Sequence, residues 1–473
     1  MMLSAYPQAN SAGELQIWVG VFGADAPPGQ PVLTINDVVA VPVRGGPPQV
    51  IRDGSTRNYK AVYAVKPAVA GPYRVQVQLG AEKCQFTTDL LPHELPANLD
   101  GSFNILLCSC YYQPRDDRGL LGDTVSQIRV QPHLTVMAGD QIYGDLPLRG
   151  LKLARGSQEI RADLGGKYLQ NWASSALGTP GLARVLARAP VVCVPDDHEF
   201  WNNYPYRQAQ IPDTLSADSF QAWEQAANEL YQDYQVSEAS ATGAARFDVG
   251  PLKMLFLDLR TGRDNDYGKL MRQGARDAFT TWVDDLMNGD RSIGVLCSGQ
   301  SLFMDKPNAL AKHLEDAEMP NYKDFDTITT QLGRVADKGV PVVYITGDVH
   351  WGRIARAMDL PSRGTLLYEV ISSPSSLIDS PTDAFTIWKH NTFSKGRSWP
   401  RHSDAADLPK QFGQGGRFLV EAIRPSIIGD QVAMISFARA GTGAEFTVTY
   451  YGISRDKSLS QSQSCGPFPL RPA

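Results

Sequence analysis

The chain has 473 residues, 42% of them hydrophobic and 20% charged, and a formal net charge of −5. That length suggests two to three domains with room for a large core, and the composition is that of a globular chain rather than a disordered one. The acidic balance excludes a broad, sequence-independent nucleic-acid-binding surface, which needs a basic face, and leaves open a small local positive site.

The opening stretch, MMLSAYPQANSAGELQ, has neither a basic n-region nor an apolar h-region, so no secretory leader is read there. No apolar run approaches the roughly 18 residues of a membrane helix. A cytoplasmic location is the expectation, with export the alternative if a leader was removed or missed. Residues 14–90 then read as short strands between turns: ELQIWVGVF (14–22), PVLTIN (31–36), KAVYAVKP (60–67) and PYRVQVQLG (72–80). In the last of these Tyr73, Val75, Val77 and Leu79 alternate with polar residues, the period of a half-buried strand. The clusters APPGQP and RGGPPQV are turn material. The expectation for residues 1–98 is a small antiparallel β-sandwich, followed by a Pro-rich linker around 90–101.

After residue 102 apolar runs alternate with helical text, the pattern of βα units. FNILLCSC (103–110), HLTVMAGDQIYGD (133–145), VVCVP (191–195), LKMLFLDLRTGR (252–263), SIGVLCSGQSLF (292–303) and PVVYITGDVHW (341–351) read as buried strands. Helices are expected at 182–190, 218–235, 271–288 and 326–337. A strand-rich end follows, with LLYEVISSPSS (366–376), FLVEAIR (418–424), QVAMISFA (431–438) and FTVTYYG (446–452). Residues 99–453 are taken as one catalytic domain and 454–473 as a loosely held, Ser-containing tail.

Six cysteines, at 84, 108, 110, 193, 297 and 465, are thin for a disulfide scaffold of this length. Cys193 and Cys297 lie in apolar runs and read as small buried hydrophobes.

Four of the strands end in chemistry: Cys108-Ser109-Cys110; Gly139-Asp140 with Tyr143; Asp196-Asp197-His198-Glu199; and Gly347-Asp348 with His350. One such end alone reads as a turn or a helix cap. Together they deliver a thiol, carboxylates, a phenol and imidazoles to one sheet edge, where open α/β sheets bind ligands. Converging carboxylates repel, and some must take up protons unless a cation holds them ionised. A metal site is therefore expected.

These segments resemble a family. SCYYQ, GDQIYGD, DDHEFWNN, LDLRTGR and GDVHW, in this order, are similar to the PhoD-like alkaline phosphatases, a branch of the calcineurin-like metallophosphoesterases. The resemblance covers about residues 100–375. It implies an α/β metallophosphatase core of two sheets flanked by helices, preceded by the β-sandwich. The implied function is metal-dependent hydrolysis of phosphate mono- or diesters by an activated water. Position by position it implies Cys110 and Tyr143 as ligands of ferric iron, Asp140 as a bridge to calcium or another divalent ion, and Asp197 as a ligand of the divalent part. Asp348 and His350 would complete the set, and His198 would face the leaving group. Thiolate with phenolate suits iron better than calcium or magnesium. The sequence departs from the wider superfamily in carrying Cys110 for its first Asp-x-His and Asp197 for its asparagine.

With a phosphate ester as the small-molecule partner, Arg260 is read as catalytic and Arg263 and Arg353 as substrate-binding, because a guanidinium forks onto two phosphate oxygens. Surface charge is their plain alternative. Asn202 and Asn203 could orient a phosphoryl oxygen or the loop itself, with capping the alternative. His93, His133, His313, His390 and His402 lack a strand-end setting and read as structural or exposed. Two rival functions stay open: metal-dependent hydrolysis of another bond such as an amide or lactone, and a non-enzymatic recognition protein with a degenerate metal core. The physiological ester and the oligomeric state are not legible.

Overall fold

The computed structural model describes residues 1–98, 101–147, 154–304, 319–361, 364–376, 410–427, 429–453 and 463–472. His313, His390, His402 and residues 454–462 of the expected tail lie outside the described residues. The first strands are β1 (Met2–Gln8), β2 (Leu15–Phe22), β3 (Val32–Ile35), β4 (Val38–Ala40), β5 (Gln49–Val50), β6 (Tyr59–Val65), β7 (Tyr73–Leu79) and β8 (Glu82–Thr88). Then come β9 (Phe103–Cys108), α1 (Leu120–Gln127), β10 (Leu134–Ala138), α2 (Ser157–Trp172), α3 (Gly181–Leu186), β11 (Val191–Val194) and α4 (Ala217–Tyr234). The next group is β12 (Ala244–Val249), β13 (Leu252–Leu257), α5 (Gln273–Asn288), β14 (Ile293–Cys297), α6 (Lys323–Asp337) and β15 (Val342–Thr346). The chain continues through β16 (Gly352–Asp359), β17 (Thr365–Ile371), β18 (Gln411–Phe412), β19 (Phe418–Ile427), β20 (Gln431–Ala440), β21 (Gly443–Gly452) and β22 (Gln463–Leu470).

Two large mixed sheets form the centre. One has ten strands in the order β22-β21-β20-β9-β10-β11-β1-β2-β6-β5, the other eight in the order β12-β13-β14-β15-β17-β16-β19-β18. Their inner faces interlock: Ile105, Leu107, Val136 and Val194 of the first meet Met254, Val295 and Val343 of the second. Leu106, Met137 and Cys193 face outward onto α1, α2, α3 and α4 through Leu121, Trp172, Leu182 and Leu230. Leu255, Leu296 and Tyr344 face α5 and α6 through Trp282 and Val335. With both faces covered, the strands can be apolar at consecutive positions, which is why they read as unbroken apolar runs. Each fully buried aliphatic side chain contributes about 1.5–3 kcal/mol.

The small antiparallel sheet β4-β3-β7-β8 packs on β1, β2 and β6 through Leu33, Val75, Val77 and Phe86 against Ile17, Val19 and Tyr63. This small sheet stacks on strands that belong to the core sheet. β1, which the sequence reading passed over, makes the join: it pairs antiparallel with β2 and parallel with β11 at Gln8 and Val191. The loosely held tail is corrected for Gln463–Leu470, which pair antiparallel with β21 and bury Leu470. All six cysteines are free. Among the described residues no helix is long and apolar enough to cross a membrane.

Candidate metal centre

Strands β9, β10 and β11 run parallel to one another, as do β13, β14 and β15. Their carboxyl ends therefore reach the same edge, and the turns beyond them carry the site. Cys110, Asp140, Asp348 and His350 all have positive φ, at 53°, 56°, 67° and 60°. Such backbone costs on the order of 1–3 kcal/mol per residue and persists only where the surroundings impose it. Gly139 and Gly347 let the turns meet: a Cβ on Gly139 would lie 2.7 Å from Asp196 Cβ, and one on Gly347 2.2 Å from the Ser109 side chain.

The side chains expected as ligands converge. Three overlapping groups have ligand atoms within 4.8 Å of one another: Cys110, Asp140 and His350; Asp140, Asp197 and His198; and Asp140, Asp196, Asp197 and Asp348. Asp140 belongs to all three and is 1% exposed. Cys110 Sγ lies 3.5 Å from Asp140 Oδ2, and Tyr143 Oη lies 3.0 Å from His350 Nε2. The Tyr143 and His198 rings pack with centroids 4.3 Å apart.

Burial pushes the Asp140 carboxyl well above the ordinary aspartate range; His198 pulls it back, while Asp197, Asp196 and Glu199 push it further. Burial, then Asp140 and Asp348, raise the Cys110 thiol, and burial, then Cys110 and Asp140, raise the Tyr143 phenol. Asp197 goes the other way: burial alone would raise it, but Arg260 and His198 outweigh that and hold it low. Burial alone would also pull the His198 imidazole down, yet Asp145, Asp197 and Asp140 raise it well above the ordinary histidine value.

Several supports were not singled out as site residues by the sequence reading. Asp145 Oδ1 lies 2.7 Å from His198 Nδ1, and its Oδ2 accepts the Asn202 N–H at 3.2 Å. Glu199 is fully buried and accepts the N–H groups of Asp140, Gln141 and Asp196 at 3.1, 2.6 and 2.8 Å. It thereby staples the turn after β10 to the turn after β11. The only sequence signal was position, since both acids stand inside the quoted motifs. Asn202 and Asn203 hold this turn through their backbones, Asn203 N–H donating to Asp197 Oδ2 at 2.6 Å.

The arginines are placed differently from expectation. Arg260 is 1% exposed; its Nε donates to Asp196 at 2.7 Å, its Nη1 to Tyr204 O at 3.1 Å, and its Nη2 lies 2.5 Å from Asp196. A guanidinium so engaged braces the acidic turn that carries Asp196 and Asp197. Arg263 stacks over Tyr322 with 5.0 Å to the ring centroid and donates to Leu259 O and Gln300. Arg353 pairs with buried Glu369 at 2.5 Å and reaches Ser301. Both guanidiniums are buried, Arg353 against a carboxylate and Arg263 against neutral groups. Arg356 pairs with Glu421. His133 is structural, accepting the Asn104 N–H at 3.0 Å and packing on Phe103.

The donor set fits bound cations. The buried Asp140 carboxyl, the Cys110 thiol and the Tyr143 phenol crowd together with their acid forms favoured, and the buried Asp196 Oδ2 has no hydrogen-bond partner. Positive charge at this point holds such ligands deprotonated. Cys110 and His350 form one close group with Asp140, and Asp196, Asp197 and Asp348 form another with it.

Residues 106–291 match the family model of the PhoD-like phosphatases. A search of curated proteins finds no match. Among solved structures the chain is similar to PhoD, with a TM-score of 0.58 at 14% identity, covering 99% of this chain and 92% of that one. The matched segment holds Cys110, Asp140, Tyr143, Asp197 and His198, whereas Asp348 and His350 lie beyond it and join the site only through the fold. Residues 106–291 thus match the PhoD-like phosphatase family in sequence, and nearly the whole chain shares the fold of PhoD.

Proposed function

We propose that this protein hydrolyses phosphate esters, mono- or diesters, with the help of a bound metal pair. The observation that carries the reading is Asp140, common to every buried ligand group, as a carboxylate bridging two ions must be. Cys110 and Tyr143 would hold ferric iron on one side, with His350, because thiolate and phenolate donors favour it over hard divalent ions. Asp197 and Asp348 would hold calcium or another divalent ion on the other. Metals bound there supply charge stabilisation on the phosphoryl oxygens and lower the pKa of a water.

The chain's own residues do the rest. Asp145 orients the His198 imidazole by its Nδ1 and, with Asp197 and Asp140, favours its protonated form. The remaining nitrogen, Nε2, can then donate a proton to the leaving oxygen. Arg260 and the backbone N–H groups of Asn202 and Asn203 keep the acidic turn in place, and the Asn202 and Asn203 side chains are left as candidates to face a phosphoryl oxygen.

Elemental analysis and assays with nitrophenyl phosphate and bis-nitrophenyl phosphate on one sample test the reading. The expected protein is coloured by its iron and hydrolyses at least one ester. A colourless, active protein with zinc or magnesium alone would remove iron and leave the hydrolase. Loaded metals without turnover of either ester would remove the phosphoesterase.

A further inference from the structure

The segment after β17, Ser372–Ser376, is buried throughout its serines and laces the turn after β9 to the turn after β15. Ser375 N–H donates to Ser109 O at 2.8 Å, Ser376 N–H to Cys110 O at 3.2 Å, and Ser376 Oγ to Tyr112 O at 3.0 Å. Ser373 occupies the centre of this lacing. Its Oγ accepts the His350 N–H at 3.1 Å and lies 3.2 Å from Cys110 Sγ. A backbone N–H can only donate, so the hydroxyl is the acceptor there and keeps its single proton for the sulfur. Ser109 Oγ is farther from the sulfur, at 3.6 Å, and gives its proton to Ser372 O at 2.8 Å. Ser373 itself is held by Gln431, whose Nε2 donates to its carbonyl at 2.9 Å.

We propose that Ser373 is a positioning residue of the metal centre: its hydroxyl donates a hydrogen bond to the Cys110 thiolate and sets how strongly that sulfur gives electron density to the bound ion. The inference rests on Cys110 being a ligand. A donor on a ligating sulfur withdraws density from it, which raises the energy of sulfur-to-metal charge transfer and tunes the metal. The same hydroxyl fixes the backbone of His350, so one side chain aligns ligands contributed by two strands far apart in sequence.

The test uses the full chain, stripped of metal and loaded with Co(II) alone. Wild type is expected to show a sulfur-to-cobalt band that Cys110→Ser abolishes. Ser373→Ala should move that band to longer wavelength and weaken Co(II) binding about 10-fold or more. Ser373→Thr, which keeps the hydroxyl, should return the band toward its wild-type position. Ser376→Ala removes a hydrogen bond from the same segment but none from the sulfur, and should leave the band in place. Should Ser373→Ala not fold, Ser373→Gly and the shift of the cobalt–sulfur stretch of wild type in D2O read the same bond. A band that neither Ser373 variant moves, or a stretch indifferent to D2O, overturns the proposal while leaving Cys110 a ligand. A wild-type spectrum without a Cys110-dependent band overturns the ligand assignment and the proposal with it.

Discussion

Asp197 and His198 are neighbours in sequence with different surroundings. Asp197 is kept ionised by Arg260 and His198 and lies in two of the ligand groups. His198 lies in one, yet its ring is tied to Asp145, and its backbone N–H donates to Asp140 at 3.2 Å. Asp197→Ala is therefore expected to lose metal and thermal stability together, since metal binding is coupled to folding. His198→Ala should keep its metal and lose about 10²–10⁴-fold in turnover, most for esters with poor leaving groups. Metal loss in the His198 variant, or equal losses for good and poor leaving groups, would assign the histidine to coordination. The candidate ligands were legible in the sequence because each stands just beyond an apolar run. The surroundings of the arginines were not, because the partner of a buried cation can come from a distant segment: Asp196 for Arg260, 64 residues away.

Strand ends are the elements that make the site, and their close approach is the property most exposed to substitution. A Cβ at Gly347 would meet Ser109 at 2.2 Å and Ala138 O at 2.6 Å. Both belong to neighbouring strand ends that carry ligands and cannot yield separately. Gly347→Ala should cost about 3 kcal/mol and lower metal content, read by urea denaturation and elemental analysis; a variant with wild-type midpoint and metal would refute this account of the edge. A second element contact has a pH signature. Asp233, in the last turn of α4, accepts Arg52 Nη2 at 2.7 Å and lies 2.9 Å from Lys60 Nζ of β6. Burial raises its carboxyl, but the Arg52 hydrogen bond and Lys60 outweigh it and hold it below the ordinary aspartate value. The folded state thus binds fewer protons here than the unfolded one. The stabilisation is complete above about pH 4 and is lost as pH falls through the depressed folded value. Asp233→Ala should cost about 2 kcal/mol at pH 7, with the gap to wild type narrowing on acidification below pH 4. A gap that widens there would contradict the sign.

At the scale of the molecule, the N-terminal strands are tied into the core by more than the sheet. Ser4 Oγ donates to Trp172 O at 2.7 Å, Tyr6 Oη to Tyr234 O at 2.6 Å, and Trp18 Nε1 to Asp233 O at 2.9 Å. Tyr6, Trp18 and Phe22 pack with Tyr168, Trp172 and Tyr234 in one aromatic cluster. A fragment lacking residues 1–98 would expose that cluster and free the edge of β11, the strand that leads into the Asp196–Glu199 turn. It is expected to be insoluble or metal-free. A soluble fragment that unfolds cooperatively and binds metal would show that the core stands alone.

The sequence by itself determined the order and type of most core elements, though not α2, β12 or β16, because period and apolar run length are local properties that the two-sheet packing then used. It also determined which strand ends carry the chemistry. Only the tertiary structure decided that β1 extends the core sheet, that Gln463–Leu470 add a strand to its other end, and that Arg260, Arg263 and Arg353 are buried braces. These depend on pairings between distant segments. A short strand such as MLSAYPQ (2–8), which lies between β11 and β2, or QSCGPFPL (463–470) at the sheet's edge carries too little period of its own to declare a partner, and a charged side chain carries no record of the groups it will meet.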